Sequence, residues 1–115
     1  MKRILLGESE RDLSLAIKRF LELFDVDCNI TNDGVQTLNE FINNDYEYVI
    51  LDDDLPRISS SDVVKKLREK KDNIKIILLS NKSIGYDNED CDLVLPRPFT
   101  SKELKESLFR VGYSL

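Results

Sequence analysis

The chain has 115 residues, the size of one domain and enough to bury a core around one sheet, so its length leaves no room for a second domain. Hydrophobic residues make up 41% and charged residues 34%, which excludes a disordered or fibrous chain. A net charge of −5 argues against nucleic acid as a direct ligand, because phosphate binding needs clustered cations.

The residue inventory narrows the chemistry further. There is no histidine, which removes Ser-His and Cys-His catalysis, histidine phosphotransfer by this chain and most zinc sites. Cys28 and Cys91 lie far apart without CxxC spacing and are expected to be packed, unreactive thiols. No apolar run approaches a membrane span or a signal-peptide core, so the predicted address is cytoplasmic and no membrane partner is expected.

Short apolar runs alternate with helical patterns, the signature of βαβ units and a parallel sheet. Ile4-Leu5-Leu6 reads as the first strand. Leu13, Ala16, Ile17, Phe20 and Phe24 recur at three- and four-residue spacing, predicting a helix from about Glu10 to Leu23. A weak second strand covers Val26 to Ile30, and the turn signal Asn32-Asp33-Gly34 precedes a helix with Val35, Leu38, Phe41 and Ile42 on its apolar face. Tyr48-Val49-Ile50-Leu51 is an uninterrupted apolar run and suits a central strand covered on both faces.

Ser59 to Ser61 can cap a third helix facing inward through Val63, Val64 and Leu67. Lys75 to Leu79 is the fourth strand and Leu93-Val94-Leu95 a short fifth. Thr100-Ser101-Lys102-Glu103 has the form of a capping box, starting a last helix with Leu104, Leu108 and Val111 inward.

In an open parallel sheet, ligands bind beyond the carboxyl ends of the strands. Strand one is followed by Glu8, Ser9 and Glu10, strand three by Asp52, Asp53 and Asp54, strand four by Ser80 and Asn81, and strand five by Arg97-Pro98. All four groups should meet at one rim. Carboxylates converging there repel unless a divalent cation or a basic side chain lies between them; oxygen-only ligands suit Mg²⁺, and Arg97 offers the basic alternative. A solvated acidic loop and a helix start stabilised by its dipole would also account for the acids.

Over its whole length the chain resembles the receiver domain of two-component response regulators, the CheY-like family. The likeness rests on the acidic cluster at Glu8, the segment Tyr48 to Pro56 around Asp52, the hydroxyl at Ser80, Arg97-Pro98-Phe99 in place of a Lys-Pro-Phe, and the turn Asp33-Gly34 before helix two. The resemblance implies a doubly wound, flavodoxin-like three-layer α/β sandwich with a five-stranded parallel sheet in the order 2-1-3-4-5. It implies that Asp52 accepts a phosphoryl group from a sensor histidine kinase. Glu8, Asp52 and the main-chain carbonyl of Asp54 would hold Mg²⁺, Ser80 would bond a phosphoryl oxygen, and Arg97 would neutralise another across a peptide bond to Pro98 that is cis in the family.

Four departures modify that expectation. Ser9 replaces a ligating acid, so the metal site should be weakened; Arg97 replaces a lysine and can instead form a permanent ion pair with Asp52. Val94 stands where an aromatic switch residue is usual. Residues 82–92 leave only eleven positions for a crossover, so helix four should be shortened or absent, replaced by a loop or a single turn. Two functions follow: a phosphorylatable receiver, or a pseudo-receiver that keeps the fold as a phosphorylation-independent interaction module. A third, remote reading takes Asp52-Asp53-Asp54 as the D-x-D motif of a haloacid-dehalogenase-type phosphatase, and a flavin phosphate is disfavoured by Glu8 and Glu10.

Overall fold

The computed structural model describes residues 3–81 and 90–115. The described elements are, in chain order, β1 (Arg3–Gly7), α1 (Arg11–Glu22), β2 (Asp27–Thr31), α2 (Gly34–Asn43), β3 (Tyr48–Asp52), α3 (Ser60–Lys70), β4 (Lys75–Ser80), β5 (Leu93–Pro96) and α4 (Ser101–Arg110). All strand pairs are parallel, as the alternating pattern predicts, and the sheet order is β2-β1-β3-β4-β5, as the resemblance implies. The register sets Gly7 beside Leu51, Asp52 beside Leu79, and Ser80 beside Pro96. Glu8, Asp52, Ser80 and Arg97 therefore leave the sheet at one end.

Successive strand residues point to opposite faces, which gives the sheet two cores. On one face Ile4, Leu6, Ile50, Ile77 and Leu79 pack with Ile17 and Leu21 of α1 and Leu104 and Leu108 of α4. On the other, Leu5, Val49, Leu51, Ile76 and Leu78 pack with Leu38 and Phe41 of α2 and Val63, Val64 and Leu67 of α3. Every residue of β3 is buried, which is why its sequence shows no polar alternation. Each fully buried Leu or Ile contributes roughly 1.5–3 kcal/mol relative to exposure.

The helix limits follow from their caps. Asp33 accepts the Gln36 amide at 2.8 Å to start α2, and Ser59 accepts that of Asp62 at 3.3 Å to start α3. Both halves of the Thr100 and Glu103 capping box are formed, at 3.1 and 2.9 Å.

Two helix faces differ from the predicted ones. In α1 the buried residues are Ser14, Ile17 and Leu21, and Ala16 is exposed. Burying Ser14 is permitted because its hydroxyl donates to the Arg11 carbonyl at 2.9 Å, so the apolar stripe rotates toward Leu21. In α2, Thr37 is buried and Ile42 is 55% exposed. Thr37 satisfies its hydroxyl on the Asp33 carbonyl at 2.8 Å and lies 2.7 Å from the Thr31 hydroxyl, a pairing that hydrophobic spacing does not reveal.

Residues 82–89, on which the expectation of a loop or single turn for helix four falls, lie outside the described residues. The end of that crossover is held by Arg68, whose guanidinium pairs with Asp92 at 2.8 Å and donates to the Asp90 carbonyl at 3.0 Å. Asp92 in turn accepts the Ile76 amide at 2.7 Å, joining β5 to β4. Val94 is half-buried against the α2 and α3 core.

Candidate functional site: an acidic rim bridged by one arginine

Gly7 ends β1 where the chain passes α2. A Cβ there would come within 2.9 Å of Leu51 Cδ1 and 3.0 Å of Thr37 Oγ1, so glycine lets the next residue, Glu8, turn in toward β3. The Glu8 amide donates to the Thr31 carbonyl at 2.9 Å. Across the rim, the Gly34 amide donates to the Pro56 carbonyl at 3.0 Å, fixing the loop after β3 against the start of α2. Arg57 in that loop takes a left-handed φ of 78°.

Glu8 is 0% exposed and Asp52 2%. Asp52 Oδ1 accepts the Asp54 amide at 3.0 Å and lies 3.1 Å from Arg97 Nη2. The same Nη2 is hydrogen-bonded to Glu8 Oε1, while Glu8 Oε2 accepts the Glu10 amide at 3.1 Å. One guanidinium nitrogen thus bridges two buried carboxylates. Arg97 is placed by its amide, which donates to the Ser80 carbonyl at 2.8 Å, and the Arg97-Pro98 peptide bond is cis. Its Nε is buried and has no hydrogen-bond partner among the described residues.

The Glu8 carboxyl is pushed up to about 7. Burial is the main cause, and a hydrogen bond shared with Asp52 adds to it; the Glu10 amide and the Arg97 charge pull the other way and are outweighed. Near neutrality Glu8 is therefore only partly ionised.

The neighbouring acids are turned elsewhere. Asp53 accepts the Ser60 hydroxyl on Oδ1 at 2.9 Å and the Ser80 hydroxyl on Oδ2 at 3.2 Å. Asp54 is exposed and accepts from Asn81 Nδ2 at 3.3 Å, and Ser9 and Glu10 are exposed. Among the described residues no group of three or more Asp, Glu, Cys or His side chains is arranged to hold a metal ion. The all-oxygen set of Glu8, Asp52 and the Asp54 carbonyl has the chemistry a hard cation needs, but Arg97 already occupies the two carboxylates.

Sequence reading singled out Glu8, Asp52 and Arg97, and the fold brings them into contact. It places Ser80 at the same strand ends, linked through Asp53. Asp53 and Ser60 were not foreseen as a pair, and the only signal was a polar residue directly after Asp52 and another in the first turn of α3. Both thiols are free, and burial pushes Cys28 and Cys91 up to about 12, consistent with inert, packed cysteines. Leu13, Asn81, Arg97, Pro98 and Phe99 line a cleft of about 350 Å³ beside the rim.

Buried acids at the ends of β1 and β3, a hydroxyl on the last residue of β4 and a cation after β5 thus meet at one end of a doubly wound α/β sandwich. The response regulator receiver domain model matches residues 4–108, and the chain belongs to that family. Response regulator MprA of Mycobacterium sp. (strain KMS) is 31% identical over 108 residues, spanning 89% of this chain and 46% of the relative. The chain spans about half the length of the curated relatives it matches. Response regulator TrrA of Thermotoga maritima, solved with Mg²⁺-BeF, is 31% identical with a TM-score of 0.87 over 96% of this chain and 99% of that one. TrrA has also been solved in complex with the histidine kinase ThkA, at 30% identity, a TM-score of 0.87, and 97% and 99% coverage. Among the described residues no helix is long and apolar enough to cross a membrane.

Proposed function

We propose that this receiver domain accepts a phosphoryl group on Asp52 from a sensor histidine kinase and signals through protein contacts. The observation that carries the reading is the placement of Asp52: almost wholly buried at the carboxyl end of β3, oriented by the Asp54 amide, and faced by the cation of Arg97. In the transfer, an Asp52 carboxylate oxygen forms a bond to phosphorus as the bond from phosphorus to the donor imidazole breaks, and the imidazole keeps that electron pair. Glu8, Asp52 and the Asp54 carbonyl would hold Mg²⁺, which neutralises charge building on the phosphoryl oxygens. Arg97 must loosen its hold on the two carboxylates for that set to open, and its planar fork then suits a phosphoryl oxygen. Ser80 would donate its hydroxyl proton to another.

A second reading is favoured by the bridge itself. Arg97 satisfies Glu8 and Asp52 without a metal, as a pseudo-receiver requires of a site it no longer uses. The dehalogenase-type phosphatase reading gains no support, since Asp54, the second acid of its motif, is exposed and turned to Asn81.

Intact mass after incubation with Mg²⁺ and acetyl phosphate separates the two. Phosphorylation predicts one added phosphoryl group on the wild type and none on Asp52→Asn. An unmodified wild type, together with an Arg97→Lys variant that is also unmodified, would establish the pseudo-receiver instead.

A further inference from the structure

The residue directly after Asp52 does something the phosphoacceptor reading has no use for. The Asp53 amide donates to the Leu79 carbonyl at 2.8 Å, continuing the β3 to β4 ladder past Asp52 and setting the Asp53 side chain between the end of β4 and the start of α3. Its two oxygens divide two hydroxyls between them, Ser60 at 2.9 Å and Ser80 at 3.2 Å. Ser60 is the first residue of α3, and both serines are buried, at 5% and 0% exposure.

A serine hydroxyl has one proton. While Ser80 gives it to Asp53, it cannot give it to a phosphoryl oxygen on Asp52. The bond to a carboxylate is charge-assisted and roughly twice as strong as one between neutral groups, so the arrangement is a hold of real strength. When Ser80 turns to a phosphoryl group, Asp53 loses that hydroxyl and keeps the one from the first turn of α3.

We propose that Asp53 is a positioning residue that withholds the Ser80 proton from Asp52 and ties it to the amino end of α3, so that phosphorylation is read out at α3. The inference rests on Asp52 as phosphoacceptor for its first half; the tie between Ser80, Asp53 and α3 stands on the contacts alone.

The test has two arms. In the first, phosphoryl uptake from acetyl phosphate with Mg²⁺ is followed by intact mass for the wild type, Asp53→Ala, Ser80→Ala and the double variant. Releasing a charge-assisted bond should raise the uptake of Asp53→Ala about tenfold. That gain should vanish in the Ser80→Ala background. An equal gain with and without Ser80 would mean that Asp53 acts only through its charge, and no gain would mean that it withholds nothing; either overturns the proposal. In the second arm, hydrogen exchange is measured at the first-turn amides of α3, with no phosphate present. Ser80→Ala and Asp53→Ala should both speed exchange there, and Asp53→Asn, which keeps an acceptor oxygen and a similar shape, should restore much of the protection. Unchanged exchange in Ser80→Ala overturns the tie to α3. If no variant with Asp52 intact takes up phosphoryl, the phosphoacceptor reading fails, and with it the withholding role, while the exchange arm still decides the tie to α3.

Discussion

Replacing Arg97 by glutamine removes the guanidinium that bridges Glu8 and Asp52, two carboxylates at most 2% exposed. Taking one partner from a buried ion pair costs about 3–5 kcal/mol, because the charge left behind is neither solvated nor paired. The protein has an escape, since Glu8 already titrates near 7 and loses a lowering influence when the guanidinium goes. Below neutrality it takes up a proton, and the two acids can share a hydrogen bond. The loss should therefore depend on pH: about 3–5 kcal/mol at pH 8.5 and no more than about 1 kcal/mol at pH 6. For a domain of this size 1 kcal/mol moves Tm by roughly 4 °C, so circular dichroism melts should show a drop of about 12–20 °C at the higher pH and about 4 °C at the lower. Added Mg²⁺ should raise the Tm of Arg97→Gln at pH 8.5 more than that of the wild type, because the carboxylates no longer carry their own cation. A loss of the same size at both pH values, or one below about 1 kcal/mol at pH 8.5, would refute the bridge as the main stabiliser of the buried acids.

Other substitutions probe the same structure. Because folding raises the Glu8 carboxyl from 4.5 to about 7, the native state keeps a proton there that the unfolded chain has released, so this group weakens the fold progressively as pH rises from 4.5 to 7. Glu8→Gln should match the wild type below about pH 4 and exceed it by about 3 kcal/mol at pH 8, measured by denaturant unfolding. Gly34→Ala sets a Cβ 2.8 Å from Ile58 Cβ and 3.0 Å from the Ile58 carbonyl, so the loop after β3 must move; a loss of about 1–3 kcal/mol in the same assay is expected. Thr100→Ala removes the capping box of α4 and should cost about 1 kcal/mol, with faster hydrogen exchange confined to the first turn of that helix.

The parts of the molecule legible in sequence were those governed by local rules. Turn and cap residues at Asp33, Ser59 and Thr100 start helices where they were expected, and the unbroken apolar run of β3 marks a central strand because both its faces are covered. The helix faces were less legible. Ser14 and Thr37 are buried because their hydroxyls find partners in the fold, whereas Ala16 and Ile42 face solvent although they fit an apolar stripe.

At the rim the same division holds. The sequence alone determined that an aspartate ends a buried strand, that a glutamate follows another, that an arginine follows the fifth and that Ser9 supplies no charge. Which acid faces which cation was decided only by the tertiary structure, because parallel strands bring together residues as distant as Glu8 and Arg97 at a register no local pattern encodes. Three successive aspartates look equivalent on paper. In the fold Asp52 turns to Arg97, Asp53 to Ser60 and Ser80, and Asp54 to Asn81, since β3 ends at Asp52 and the turn that follows aims each carboxylate at a different neighbour.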